Sequence, residues 1–148
     1  MQRSKTVMCS IILISLFVIW CSAACTPILK PRGINIQRPM LQEGQFSDGD
    51  GITLPLRSWL PNGEPKAVLL ALHGFNDYSN FFDAPGNYFK TDGIASYAYD
   101  QRGFGRGPNS GSWAGVDAYV KDTGDVLHAL RERYPKTPIF LLGASMGG

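Results

Sequence analysis

Ser145 is the residue in this chain best placed to do covalent chemistry. It sits in Gly143-Ala144-Ser145-Met146-Gly147, a G-x-S-x-G spacing that directly follows the apolar run Ile139-Phe140-Leu141-Leu142. A strand that feeds a sharp turn before a helix lifts a serine hydroxyl clear of the sheet, where it can attack a carbonyl. Gly143 and Gly147 lack the Cβ atoms that would clash where strand and helix approach at such a bend. The bland alternative is a strand-to-helix turn in which the serine only caps a helix. A serine hydroxyl is a poor nucleophile until a base takes its proton, and that base needs an orienting carboxylate. The chain has two histidines, His73 and His128. His73-Gly74 closes the apolar run "AVLLALH", and His128 falls toward the solvent side of a long helical pattern.

The elements that would position these groups alternate in type. Ala67 to His73 and "IASYAYD", ending at Asp100, are continuous apolar runs of the kind found in strands buried on both faces. "PIFLLG" is a third. Before them, the turn signal Ser47-Asp48-Gly49-Asp50-Gly51 between two extended runs predicts a hairpin. A short helix is predicted around Asn87 to Asp92. In the longest helix Val116, Tyr119, Val120, Thr123, Val126, Leu127, Leu130 and Tyr134 recur at three- and four-residue steps. Lys121, Asp122, Asp125, Glu132 and Arg133 are expected to face away from that stripe. Strands alternating with helices predict an α/β fold with a mostly parallel sheet flanked by helices. In such sheets the chemistry gathers at the carboxyl ends of the strands, where His73-Gly74, Asp100 and Ser145 all fall.

Three motifs in this order, "ALHGF", "YDQRGFGRG" and "GASMGG", resemble the α/β-hydrolase superfamily. Within it the likeness is to the lysophospholipase and monoacylglycerol lipase-like branch, also labelled serine-aminopeptidase-like. The resemblance covers Leu41 to Gly148, the N-terminal half of such a fold with its N-terminal hairpin, so the chain is expected to be a fragment truncated after the nucleophile elbow. It implies Ser145 as nucleophile and the backbone N–H groups of Phe75 and Met146 as oxyanion-hole donors. His73 and Gly74 would shape the oxyanion loop, and Asp100 with Arg102 would order the next loop by hydrogen bonding and ion pairing. The family's catalytic acid and histidine follow the serine in the chain, so this stretch alone is expected to be inactive. Ester hydrolysis of a small-molecule or lipid ester, such as a lysophospholipid or monoacylglycerol, is the implied activity, with no cofactor or metal. Peptidase or thioesterase chemistry stays open, as does a noncatalytic remnant or binding module on the same scaffold. A serine at the elbow argues against dehalogenase and epoxide-hydrolase chemistry, which places a carboxylate there.

Composition narrows the setting. With 44% hydrophobic and 18% charged residues the chain is globular in character, and its net charge is only +2. The 14 Lys and Arg are scattered, and no basic run interleaved with aromatics appears, so nucleic-acid binding has no support. Arg3 and Lys5 precede the apolar stretch Val7 to Ala24, the order of an export signal. Residues 1–24 are therefore read as a signal peptide, 25–40 as a tether and 41–148 as the partial domain. The leader allows lipidation at Cys25 in "SAAC", ordinary cleavage after Ala24, or an uncleaved anchor. All three cysteines, Cys9, Cys21 and Cys25, lie at or before that point, so the body has no disulfide framework. The expected location is the cell envelope, as a membrane-anchored lipoprotein, or else the periplasm or exterior.

Overall fold

Apolar side chains at every second position divide the central strands between two faces of one sheet, and helices cover both. The computed structural model describes residues 11–17 and 28–148; the cleavage region and Cys25 lie outside the described residues. Residues 11–17 are helical and exposed, and no helix among the described residues is long and apolar enough to cross a membrane.

The strands are β1 (Met40–Gln42), β2 (Gln45–Ser47), β3 (Thr53–Trp59), β4 (Ala67–Leu72), β5 (Ile94–Tyr99) and β6 (Ile139–Gly143), in the sheet order β1-β2-β3-β5-β4-β6. β1 to β3 form an antiparallel meander, and β3 pairs antiparallel with β5. β4 runs parallel to both β5 and β6. The predicted hairpin is the β2–β3 pair, closed where Asp48 N–H donates to Ile52 O.

Val68, Leu70 and Leu72 of β4 join Ala95, Tyr97 and Tyr99 of β5 on one face. Val126, Ala129 and Leu130 of helix α2 (Val116–Arg133) close over them. Each Val or Leu among them, once buried, contributes about 1.5–3 kcal/mol. Two polar contacts fix the helix on this face: Tyr97 and Tyr134 share a hydroxyl hydrogen bond of 2.7 Å, and Tyr99 and Thr123 one of 3.0 Å. On the other face Trp59, Ala71, Ala98 and Phe82 pack together, with Phe89 of helix α1 (Asp83–Thr91) against them. α1 begins earlier than the pattern suggested. Pro85 lies in its first turn, where the missing N–H has no intrahelical partner to lose.

Two expectations need correction. Val116 and Val120 were placed on the buried stripe of α2 but are 66% and 64% exposed, whereas Asp122, expected outside, is buried. The helix is rotated about its axis because Asp122 meets two guanidinium groups inside. The second correction concerns the tether. Its described part, from Ile28 onward, lies against the body: Trp113 N–H donates to Ile28 O at 2.8 Å, Lys30 N–H to Trp113 O at 2.9 Å, and Gly33 N–H to Asp50 Oδ2 at 2.9 Å. This segment is a strap laid on the domain rather than a free linker.

Candidate active site

β5, β4 and β6 are adjacent and parallel, so their carboxyl ends open on one edge of the sheet. The register pairs Leu72 with Gly143 and Ala71 with Ala98, which brings His73, Asp100 and Ser145 to that edge together. Ser145 follows β6 in a single 3-10 turn, Ser145–Gly147, and is exposed. Its φ is +52°, a left-handed conformation that costs a residue with a Cβ about 1–2 kcal/mol. The surrounding contacts impose it. Ala144 N–H donates to Leu72 O at 3.0 Å and Gly147 N–H to Ala144 O at 3.0 Å. A Cβ on Gly147 would lie 2.5 Å from Leu72 O, so only glycine lets the turn sit this close to β4. Gly143, at the other end of the elbow, faces the backbone of Gly147.

The loop after β4 also comes close to Ser145. A Cβ on Gly74 would stand 3.3 Å from Ala144 O and 3.4 Å from the Ser145 Cβ, so the loop lies directly beside the serine. Among the described residues, neither the Phe75 N–H nor the Met146 N–H has an acceptor. Two unpaired backbone donors flanking an exposed serine are what an oxyanion needs: fixed dipoles that require no reorganisation when charge develops. Both residues lean on one hydrophobic cluster. The Phe75 and Phe104 rings meet edge-on at 5.5 Å, and Met146 packs on the cluster of Phe104, Ala114, Ala118 and Tyr119. Phe104 also meets the His73 ring at 5.5 Å. The sequence signal for Phe104 is an aromatic within the Gly-rich run "RGFGRG".

His73 is fully buried, and both ring nitrogens are engaged. Nε2 accepts from Gln101 N–H at 3.0 Å, which leaves the proton on Nδ1, 2.8 Å from Gly74 O. Burial lowers its pKa, so the neutral ring persists. Gln101 Nε2 returns a bond to His73 O at 2.9 Å. Locked in this way, His73 holds the loop after β4 to the loop after β5. His128 is exposed on α2, 3.1 Å from Glu132.

Asp100 and Arg102 do not pair with one another. Asp100 accepts from Ser79 N–H at 2.9 Å, Ser79 Oγ at 2.6 Å and Arg106 N–H at 2.8 Å, tying the turn after the oxyanion loop to the Gly-rich loop. Arg102 points the opposite way. Its Nε donates to Asp122 Oδ2 at 2.6 Å and its Nη2 to Asp50 Oδ1 at 2.8 Å and to Asp48. Arg32 from the strap reaches the same group, at 3.1 Å from Asp48, 3.0 Å from Asp122, and on Asp125. Four carboxyls thus face two guanidiniums. Asp50 is held down to about 2: the Arg102 guanidinium and the amides of Gly33 and Ile52 outweigh the burial that opposes it. Asp122 is pushed up to about 7 by burial and by the neighbouring Asp48 charge, against the pull of Arg102. The sequence carried no local sign of this cluster. Among the described residues no group of His, Cys, Asp or Glu side chains is arranged to hold a metal.

Residues 63–148 match the family model described as serine aminopeptidase, S33. The chain belongs to this family. Its relatives include monoglyceride lipase of Rattus norvegicus, 30% identical over 102 residues that make up 68% of this chain and 34% of the relative. Monoacylglycerol lipase of Mycolicibacterium smegmatis is 27% identical over 107 residues, covering 72% and 38%. Among solved structures, a thermostable carboxyl esterase from Bacillus coagulans aligns with a TM-score of 0.58 at 26% identity, over 70% of this chain and 36% of that one. A soluble variant of monoglyceride lipase from Saccharomyces cerevisiae aligns at 0.55 and 24%, over 79% and 38%. This S33-family chain therefore has the α/β-hydrolase fold of the monoglyceride lipase-like branch, and it spans about a third of the length of the curated relatives it matches.

Proposed function

We propose that the protein is a serine hydrolase that cleaves carboxylic esters of the monoacylglycerol or lysophospholipid kind, through an acyl intermediate on Ser145. The supporting observation is the exposed, left-handed Ser145 flanked by the unpaired N–H groups of Phe75 and Met146. The Ser145 oxygen adds to the ester carbonyl as its proton passes to a base, and the two N–H groups receive the oxyanion. Collapse expels the alcohol, which takes up that proton. Water then adds to the acyl-serine and releases the acid. His73 is excluded as the base, since both its nitrogens are bonded inside the fold; a histidine and a carboxylate later in the whole protein supply that function, in the family's order.

The whole protein should hydrolyse a short chromogenic ester and a monoacylglycerol, and a fluorophosphonate should add its mass to Ser145. Ser145→Ala should abolish all three, while the 148-residue chain alone should show no Ser145-dependent turnover. Turnover surviving in Ser145→Ala would refute the nucleophile. The family's aminopeptidase description favours one second reading, amide cleavage at the same serine, and an aminoacyl-arylamide assayed beside the ester separates the two.

The protein is exported and carries lipid at Cys25, on the reading of "SAAC" after an apolar run. Labelled fatty acid should mark the wild type in a bacterial host and not Cys25→Ser; equal labelling would reject lipidation.

A further inference from the structure

The strap that Arg32 fastens to the domain leaves mainly apolar side chains in water. Ile28, Leu29, Ile34 and Ile36 are 67%, 63%, 82% and 70% exposed. Looseness is not the reason. Lys30 N–H is bonded to Trp113 O and Gly33 N–H to Asp50 Oδ2, while Ile36 N–H and Gln37 N–H both donate to Gly49 O, at 2.8 and 3.1 Å. Gln37 Nε2 adds a bond to Asp48 O at 2.8 Å. With the backbone pinned at each of these points, the fold itself holds four large aliphatic side chains in solvent. A single exposed apolar residue is ordinary on a protein surface, but four within nine residues of one pinned segment mark an interaction surface.

We propose that the strap is a docking surface for an anionic phospholipid bilayer: Ile28, Leu29, Ile34 and Ile36 enter the boundary between headgroups and acyl chains, and Lys30 and Arg38 meet the phosphates. From Thr26 to Gln42 the chain carries Lys30, Arg32 and Arg38 and neither Asp nor Glu. Arg32 is spent inside the domain, whereas Lys30 is exposed and the Arg38 side chain is 75% exposed, paired with Glu132 at the surface. The same stretch contains no aromatic residue. Protein partners draw on Tyr, Trp and Phe at their contacts, whereas a bilayer surface takes up aliphatic side chains flanked by cations.

The preceding chain leads to the same place. The apolar stretch Val7 to Ala24 ends four positions before Ile28, so a membrane reached by the leader, or by a lipid on Cys25, meets the strap first. The docking itself needs neither of these, nor the ester-hydrolase reading, because every side chain that carries it lies after Cys25.

The test uses the whole protein begun at Thr26, so that neither the leader nor Cys25 contributes, and its co-flotation with vesicles of phosphatidylethanolamine and phosphatidylglycerol. The wild type should float with these vesicles, bind phosphatidylcholine vesicles less tightly, and come off as salt is added. Ile34→Asp and Leu29→Asp should each weaken binding at least about tenfold, and Lys30→Gln about fivefold. Ile34→Ser, which adds no charge, should fall between the wild type and Ile34→Asp. Tyr88→Asp is the control: Tyr88 is 65% exposed but sits on α1, across the sheet, and its replacement should change nothing. The replaced side chains lie in solvent, so the melting curves should stay as they are. Equal binding by the wild type and a Leu29→Asp, Ile34→Asp double variant would overturn the docking surface, as would a wild type that never floats. In that last case, strap-dependent dimers in sedimentation would assign the exposed aliphatics to a second copy of the chain. Ester turnover plays no part in this readout, so its absence would count against the ester-hydrolase reading alone.

Discussion

Replacing Arg102 with methionine should destabilise the domain severely and in a pH-dependent way. The side chain is 3% exposed and serves Asp48, Asp50 and Asp122, themselves 0–1% exposed, so methionine fills much of the space but leaves Asp50 without a cation and Asp48 and Asp122 with Arg32 alone. Removing one partner from a buried ion cluster costs about 3–5 kcal/mol. For a domain of this size that is a fall in melting temperature on the order of 10–20 °C at pH 7. Arg102→Lys keeps a charge but cannot bridge Asp122 and Asp50 at once, and should lose roughly half as much. The sign of the pH effect follows from proton uptake. In the wild type Asp50 is held down to about 2, so its stabilisation is present above the ordinary carboxylate range and is lost as pH falls toward 2. Asp122, pushed up to about 7, acts oppositely and costs stability as pH rises from about 4 to 7. Without Arg102 the carboxyls rise further, the folded variant binds more protons than its unfolded chain, and its deficit against the wild type should shrink between pH 7 and pH 5. Melting curves followed by circular dichroism at pH 5, 6, 7 and 8 measure this. A variant melting within about 2 °C of wild type at pH 7, or a deficit constant across that range, would refute the buried-cluster account.

Other outcomes follow from the active edge. Gly74→Val, which forces a branched side chain toward Ala144 O and the Ser145 Cβ, should lower turnover of the whole enzyme on a short ester about a hundredfold, while Phe75→Leu, which keeps the N–H, should cost far less. Ser145→Gly should abolish turnover yet raise stability by about 1 kcal/mol by relieving the +52° φ, and Ser145→Ala should give no such gain in a denaturant titration. The lowered pKa of His73 means that the unfolded chain binds a proton first, so stability is complete above about 6.5 and falls as pH drops below it. His73→Gln should flatten that part of the pH–melting profile, and an unchanged slope would show that the ring does not stay neutral.

The meeting of His73, Asp100 and Ser145 at one sheet edge was largely legible in the sequence because each of its parts is local. A glycine pair around a serine, an apolar run before it and a His-Gly pair after another run are patterns within ten residues, and the alternation of Val68, Leu70 and Leu72 fixes which face each strand buries. The charged cluster was not legible, because its members are far apart: Arg32 and Asp122 are separated by 90 positions and Arg102 and Asp48 by 54. Asp122 read as outward because a carboxylate in an apolar stripe is penalised unless a cation is waiting, and no periodicity reports a cation from another segment. The same omission set the phase of α2 wrongly, so Val116 and Val120 appeared buried. Asp100 and Arg102 looked like a pair because they are two residues apart. Along an extended chain neighbours two apart share a direction, but here the backbone turns after Asp100 and sends the two side chains to different partners.

The burial of Arg32 also decides where this domain can be cut and joined. The family match starts at residue 63, yet the fold's charge balance already depends on a residue 31 positions upstream. A recombinant version begun at residue 40 would keep every strand and discard the cation that Asp48, Asp122 and Asp125 share. Exchange of leaders between such proteins is therefore safe only upstream of Ile28, and slack added there is the one way to lengthen the reach. As the sequence stands, Ile28 is three residues from Cys25, and three extended residues span about 10 Å. A lipid on Cys25 would hold the domain flush with the bilayer, its strap side inward, instead of leaving it to swing on a leash.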